Sequence, residues 1–205
     1  MHIEFIDLLR CPNVHEDSWL VAAFYKLDGR VVVEGKLGCP VCGAEYFVRD
    51  GVAVFQEADV PSHSSPGTGA ESDATLIAAL LGLARPGMLA LLAGRLAREA
   101  ENVTELTGAR IIALNSPSPS RESDTVAEVR ARLPVPLAGQ SLDGIALDAA
   151  HATTGMLTEA ARMLRPRGRL IVQGGGQLTE HFRELARDNN QVVAEFVGEL
   201  ISLRR

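Results

Sequence analysis

Residues 56–74, QEADVPSHSSPGTGAESDA, divide the chain. The segment is rich in Ser, Gly, Pro and acids and offers almost no side chain to a core, so it reads as a flexible or loosely docked linker. The two flanks are patterned differently. Residues 1–55 hold short β-branched or aromatic runs, Val31-Val32-Val33 and Glu45-Tyr46-Phe47-Val48, with turn signals at Asp28-Gly29 and Asp50-Gly51. A unit of that size gains from a metal, because its apolar core is too small to hold it alone.

Residues 75–205 alternate between helical and strand patterns. The sequence predicts helices over 76–84, 95–106, 124–132, 154–164 and 179–186, and strands over 88–93, 110–115, 141–148 and 169–173. A terminal hairpin is expected over 192–203, turning near Gly198. In the fourth helix Met156, Leu157, Ala160, Ala161 and Leu164 share one face, and Pro166 and Gly168 mark its end. Strands separated by helices imply parallel pairing with helices on both faces. The expected fold class is α/β: a small β-rich domain, an acidic linker, and a Rossmann-like three-layer domain.

Composition removes several function classes. The 205 residues are 46% hydrophobic and 22% charged, as in ordinary globular proteins. Aromatic residues make up 4%, too few for the stacking surface of a single-strand nucleic-acid binder. The net charge of −6 is distributed as −3 over residues 1–55, −4 over 56–74 and +1 over the rest, so no part is basic enough to predict nucleic-acid binding. Met1–Leu9 contains Glu4 and Asp7 without a basic start, unlike a signal peptide. The apolar stretch 75–94 is long enough for a membrane span but carries Arg85-Pro86-Gly87 in its middle, which predicts two elements and a turn. A soluble, cytoplasmic protein is expected.

The three cysteines do not make a complete disulfide framework. Cys39-Pro-Val-Cys42-Gly43 has the form of a zinc knuckle, the glycine letting the backbone turn toward the metal. A second knuckle begins at Cys11-Pro12, but its expected partner position is Val14; His15, one residue on, is the nearby replacement. Three readings compete: a zinc site of Cys11, His15, Cys39 and Cys42; a ribbon without zinc, held by packing; and a redox pair of Cys39 and Cys42. Taken alone, His15 reads as an exposed turn residue.

Leu8-Leu9-Arg10-Cys11-Pro12, Leu37-Gly38-Cys39-Pro40-Val41-Cys42-Gly43-Ala44-Glu45-Tyr46 and Arg49-Asp50-Gly51-Val52-Ala53-Val54-Phe55 resemble the small zinc-ribbon proteins that activate RNA and protein methyltransferases. That resemblance covers about residues 5–55 and implies a non-enzymatic domain that packs on a methyltransferase and stabilises it. Ser141-Leu142-Asp143-Gly144-Ile145-Ala146-Leu147-Asp148, followed by Ala160-Ala161-Arg162-Met163-Leu164-Arg165-Pro166-Arg167-Gly168-Arg169-Leu170-Ile171-Val172, is similar to the fourth strand, helix and fifth strand of class I S-adenosylmethionine-dependent methyltransferases. It implies a methyltransferase-type domain over 75–205.

The cofactor half departs from that family's pattern. Its first strand should lead into a Gly-x-Gly-x-Gly turn where the backbone approaches the cofactor. Here Leu92-Ala93-Gly94-Arg95-Leu96 keeps only Gly94. The second strand should end in an acid for the ribose hydroxyls, and here it ends in Asn115, which can still donate and accept hydrogen bonds. Asp148 and His151 follow the fourth strand, where His151 is a candidate base; the plainer reading is a loop that caps the next helix. Gly174-Gly175-Gly176 reads as a strand-to-helix turn before a phosphate loop, and the arginines at 162, 165, 167 and 169 as a solvated face. The functional expectation is a methyltransferase-like accessory or structural subunit that does not turn over cofactor and binds a protein partner, such as a methyltransferase or a larger complex. The alternative is an active methyltransferase with an atypical cofactor loop.

Overall fold

The computed structural model of the protein describes residues 1–56, 74–118, 123–175 and 177–198. Nearly all of the linker segment, part of the loop after Ser116, Gly176 and the end of the expected terminal hairpin lie outside the described residues.

The chain opens with a 3-10 helix, Ile3–Leu8, whose first turn is capped by His2 accepting from the Glu4 N–H. Phe5 and Ile6 are its buried side chains. An antiparallel meander follows: β1 (Val21–Asp28), β2 (Val31–Gly38), β3 (Glu45–Arg49) and β4 (Val52–Val54). The tight β3–β4 turn uses Asp50 and Gly51, both at positive φ, where glycine is unstrained and Asp is tolerated. Then come α1 (Ala74–Leu81), β5 (Leu89–Ala93), a second 3-10 helix (Gly94–Glu99) running into α2 (Ala100–Thr107), and β6 (Arg110–Leu114). The rest is β7 (Val126–Arg130), β8 (Leu142–Leu147), α3 (Thr154–Met163), β9 (Leu164–Gln173), β10 (Phe182–Arg187) and β11 (Gln191–Phe196).

The eleven strands of the described residues form one sheet, in the order β1-β2-β3-β4-β7-β6-β5-β8-β9-β11-β10. The run β7-β6-β5-β8-β9 is parallel and follows the doubly wound order 3-2-1-4-5, with the crossover reversing between β5 and β8. β11 then enters antiparallel to β9, with β10 outside it. Helices cover both faces. Ile77, Leu81, Leu96 and Val103 pack with Ala90, Leu92 and Ile111 on one side. On the other, Met156, Leu157 and Ala160 of α3 share a core with Leu91, Ile112 and Ile145. This is the mixed α/β, methyltransferase-like Rossmann arrangement that the sequence predicts.

The N-terminal meander adds itself to the edge of that sheet. β4 pairs in parallel with β7, Ala53 opposite Val129, and the Phe55 N–H donates to the Arg130 carbonyl at 2.9 Å. A second seam runs alongside: the Ala138 N–H donates to the Leu8 carbonyl and the Arg10 N–H to the Pro136 carbonyl. Phe5, Ile6 and Leu9 belong to the same buried cluster as Ala127, Val129 and Leu137. Apolar burial therefore runs unbroken across the seam.

Three element expectations are corrected. Residues 124–132 hold no helix but β7 (Val126–Arg130), a strand buried on both faces between β4 and β6. Residues 179–186 hold β10, an edge strand, in place of a helix. The terminal hairpin turns at Asp188–Asn190, between β10 and β11, rather than near Gly198. Residues 75–94 do form a helix, a turn and a strand, and no described helix is long and apolar enough to cross a membrane.

Candidate functional site

Among the described residues, two clusters of chemistry-bearing side chains emerge. The first lies at the far end of the meander. The Gly43 N–H donates to the Cys39 carbonyl and the Cys39 N–H to the Ala44 carbonyl, which curls 39–44 into a knuckle, with Gly43 at φ +71. The segment after the first 3-10 helix brings Cys11 and His15 to face it. The sulfurs of Cys11, Cys39 and Cys42 and a ring nitrogen of His15 all lie within 4.8 Å of one another. The Cys11 and Cys42 sulfurs are 3.7 Å apart, and the Cys39 sulfur is 3.4 Å from His15 Nε2. A tetrahedron with Zn–S bonds of about 2.3 Å has edges of about 3.8 Å, so the donor set fits a tetrahedral zinc of Cys3His type. His15, displaced by one residue from the regular spacing, reaches the cluster.

The knuckles also carry polar neighbours that cysteine spacing does not reveal. Asn13 Nδ2 donates to the Cys42 sulfur at 3.3 Å, and Tyr46 Oη lies 3.4 Å from the Cys11 sulfur. The Asn13 amide and the Ala44 backbone hold the exposed Cys42 thiol down at about 6, favouring thiolate. His15 is raised above its ordinary value, first by the Glu16 carbonyl and then by the neighbouring thiols. Burial, with the Cys11 sulfur, pushes Tyr46 up, so its hydroxyl remains a donor.

The second cluster lies at the carboxyl ends of the parallel strands. β5 ends in Gly94, at φ +62, and a Cβ there would stand 2.3 Å from Asp148 Oδ2 and 2.6 Å from His151 Nδ1. Asp148 is 3% exposed. Its Oδ2 accepts the Arg95 N–H at 2.8 Å, in the turn that follows Gly94. Its Oδ1 accepts the His151 N–H at 3.0 Å and faces His151 Nδ1 at 2.7 Å. Burial pushes the Asp148 carboxyl up, but the His151 ring and the Arg95 N–H together outweigh it and hold the group below its usual range. The sequence pair Asp148 and His151 is thus brought together, against Gly94.

Asn115 sits at φ +53 at the end of β6, and its side chain ties that strand end to the one beside it. Nδ2 donates to the Ala131 carbonyl at 2.9 Å and Oδ1 accepts the Ala131 N–H at 3.1 Å. A cavity of about 410 Å³ opens beside it, lined among others by Asn115, Leu133, His151, Thr153 and Met156. Thr153 caps α3 by accepting the Met156 N–H.

The arginine run is largely occupied. Arg162 donates to the Leu137 and Val135 carbonyls at 2.7 and 2.8 Å and pairs with Glu159. Arg165 pairs with Asp143, and Arg169 donates to the Leu80 carbonyl at the end of α1.

No protein-family model and no curated protein matches the chain. Among solved structures it is similar to geranyl diphosphate C-methyltransferase from Streptomyces coelicolor A3(2), a complex with S-adenosyl-L-homocysteine, at 17% identity and a TM-score of 0.42. That match covers 48% of this chain and 41% of the other, so the chain spans less than half of that protein's length. The Burkholderia thailandensis 1,6-didemethyltoxoflavin-N1-methyltransferase gives 17% identity and a TM-score of 0.46 over 60% of this chain and 76% of its own. The antibiotic-resistance methyltransferase Kmr gives 13% and 0.43, over 62% and 93%. At these values the fold rests on the strand order itself.

Proposed function

We propose that this is a methyltransferase-like protein that does not turn over S-adenosylmethionine and serves as an accessory or structural subunit, its zinc ribbon docked on its own sheet. The observation that carries the reading is the state of the glycine turn. A buried protein carboxylate already takes the Arg95 N–H, where the fold's cofactors need backbone donors and open space. The Asn115 amide, at the position where the resemblance would put a ribose contact, is engaged with Ala131. Both places at which the resemblance would put cofactor contacts are therefore used by the chain.

Zinc, held by Cys11, His15, Cys39 and Cys42, would close the two knuckles and contribute folding free energy, not catalysis. A protein partner and a cytoplasmic setting belong to the same reading. The partner would not use the edge of β4, because β7 of the same chain occupies it.

Calorimetric titration of the zinc-assayed protein with S-adenosylhomocysteine tests this reading. It expects no heat at millimolar ligand. Micromolar binding would overturn it in favour of an active methyltransferase, with the 410 Å³ cavity as substrate space and His151, oriented by Asp148, as base. One zinc per chain by metal analysis, lost in Cys39→Ser, is the expected result for the ribbon.

A further inference from the structure

The four ligands of the ribbon are not equivalent. Cys42 is exposed and Cys11 partly so, with their sulfurs 3.7 Å apart. Cys39 is 4% exposed, and its sulfur faces His15 at 3.4 Å. An oxidant from solvent meets Cys42 first, finds the Cys11 sulfur beside it, and has little access to Cys39.

We propose that Cys11 and Cys42 form a peroxide-oxidised disulfide that replaces zinc as the clip between the two knuckles. This rests on the zinc reading above. The Cys42 thiolate attacks one oxygen of the peroxide, forming an S–O bond as the O–O bond breaks and hydroxide leaves. The Cys11 thiolate then attacks the Cys42 sulfur, forming the S–S bond as the S–O bond breaks and a second hydroxide leaves. Two sulfurs lose one electron each, and the peroxide takes both. Zinc, left with Cys39 and His15, has too few ligands to be retained and departs as the free ion.

The pairing has a structural consequence that the alternative lacks. A Cys11–Cys42 bond joins the segment after the first 3-10 helix to the knuckle between β2 and β3, closing the same long loop that zinc closes. A Cys39–Cys42 bond would close only the knuckle on itself, leaving Cys11 and the first 3-10 helix untied. Oxidation by the proposed route thus releases zinc while keeping the meander in place on β7.

The test treats the zinc-loaded full chain with hydrogen peroxide. Released zinc is read with a chromogenic chelator, intact mass is measured, and the disulfide is mapped by proteolysis without reduction. The expected result is release of one zinc, a protein two hydrogens lighter, and a linked peptide pair containing Cys11 and Cys42. The oxidised chain should also melt above the reduced, zinc-stripped chain. A Cys39–Cys42 link, oxygen addition without a disulfide, or retention of zinc would each overturn the proposal. If the purified protein holds no zinc, the metal reading fails by itself, and the same map on the metal-free chain still decides the pairing.

Discussion

Gly94 is held by two constraints at once. Its positive φ is one constraint, and the Asp148 carboxylate and His151 ring within 2.6 Å of a virtual Cβ are a second. Gly29, at φ +55 with nothing within 4 Å, has the first constraint without the second. Gly94→Ala should therefore cost at least about 2 kcal/mol in urea denaturation and Gly29→Ala about 1 kcal/mol; equal costs would mean that Asp148 does not crowd the turn. The same carboxylate sets a pH dependence. Its folded pKa lies below the unfolded value of about 3.9, so its contribution is full above that value and is lost as pH falls through the folded pKa. In His151→Ala the ring's hydrogen bond and charge are gone, the folded pKa moves up, and the loss of stability as pH falls below about 4 should be shallower. Urea midpoints across that window for both proteins measure it, and parallel slopes would count against the pairing.

At the scale of elements, legibility followed exposure. Helix α3 was readable because one face is buried and the other is wet, and β5, β6 and β8 were readable as apolar runs bounded by turns. β7 was not: Val126, Ala127, Glu128 and Val129 are all buried, so it shows no alternation, and Ala, Glu and Arg favour helix when no neighbours are known. β10 is built from good helix formers too, and pairing with β11 overrides their preference. A helix at 124–132 also hides the role of Asn115, whose partner Ala131 lies just past the end of β7. The Cys/His cluster, set by local spacing, is legible in all four of its residues, whereas Asn13 and Tyr46 join it only where the two knuckles meet. Arg162 illustrates the same limit. As sequence it is one of a basic cluster; as structure it holds 135–137, the loop that meets the first 3-10 helix, against α3. Arg162→Ala leaves the Val135 and Leu137 carbonyls without this donor and should cost about 1–3 kcal/mol, measured by urea denaturation. Arg162→Lys should recover only part of it, because one ammonium does not reproduce the guanidinium's two-pronged reach.

At the scale of the molecule, the question is whether the ribbon and the doubly wound strands unfold together. The parallel β4–β7 ladder is only three residues long and would not hold the two parts together alone. It is backed by the seam from Leu8 and Arg10 to 136–138 and by one buried cluster holding Phe5, Leu9, Val48 and Phe55 together with Val129, Leu137 and Leu157. With that much shared apolar burial, separation would expose both sides of a core, so a single cooperative transition is expected. Trp19, the one tryptophan of the chain, lies in the ribbon beneath the Arg10 guanidinium, 5.2 Å from its ring centre, and reports on that part alone. Far-UV circular dichroism reports on the helices, which apart from the first 3-10 turn belong to the doubly wound part. Thermal curves from the two probes should coincide in the zinc-loaded protein. After chelation both should shift down together, by about 4 kcal/mol if zinc was held at a thousand times its dissociation constant. A ribbon signal that melts first while the circular dichroism stays put would mean that the meander only leans on the sheet. Stabilisation of the fold by its own ribbon would then have to be given up.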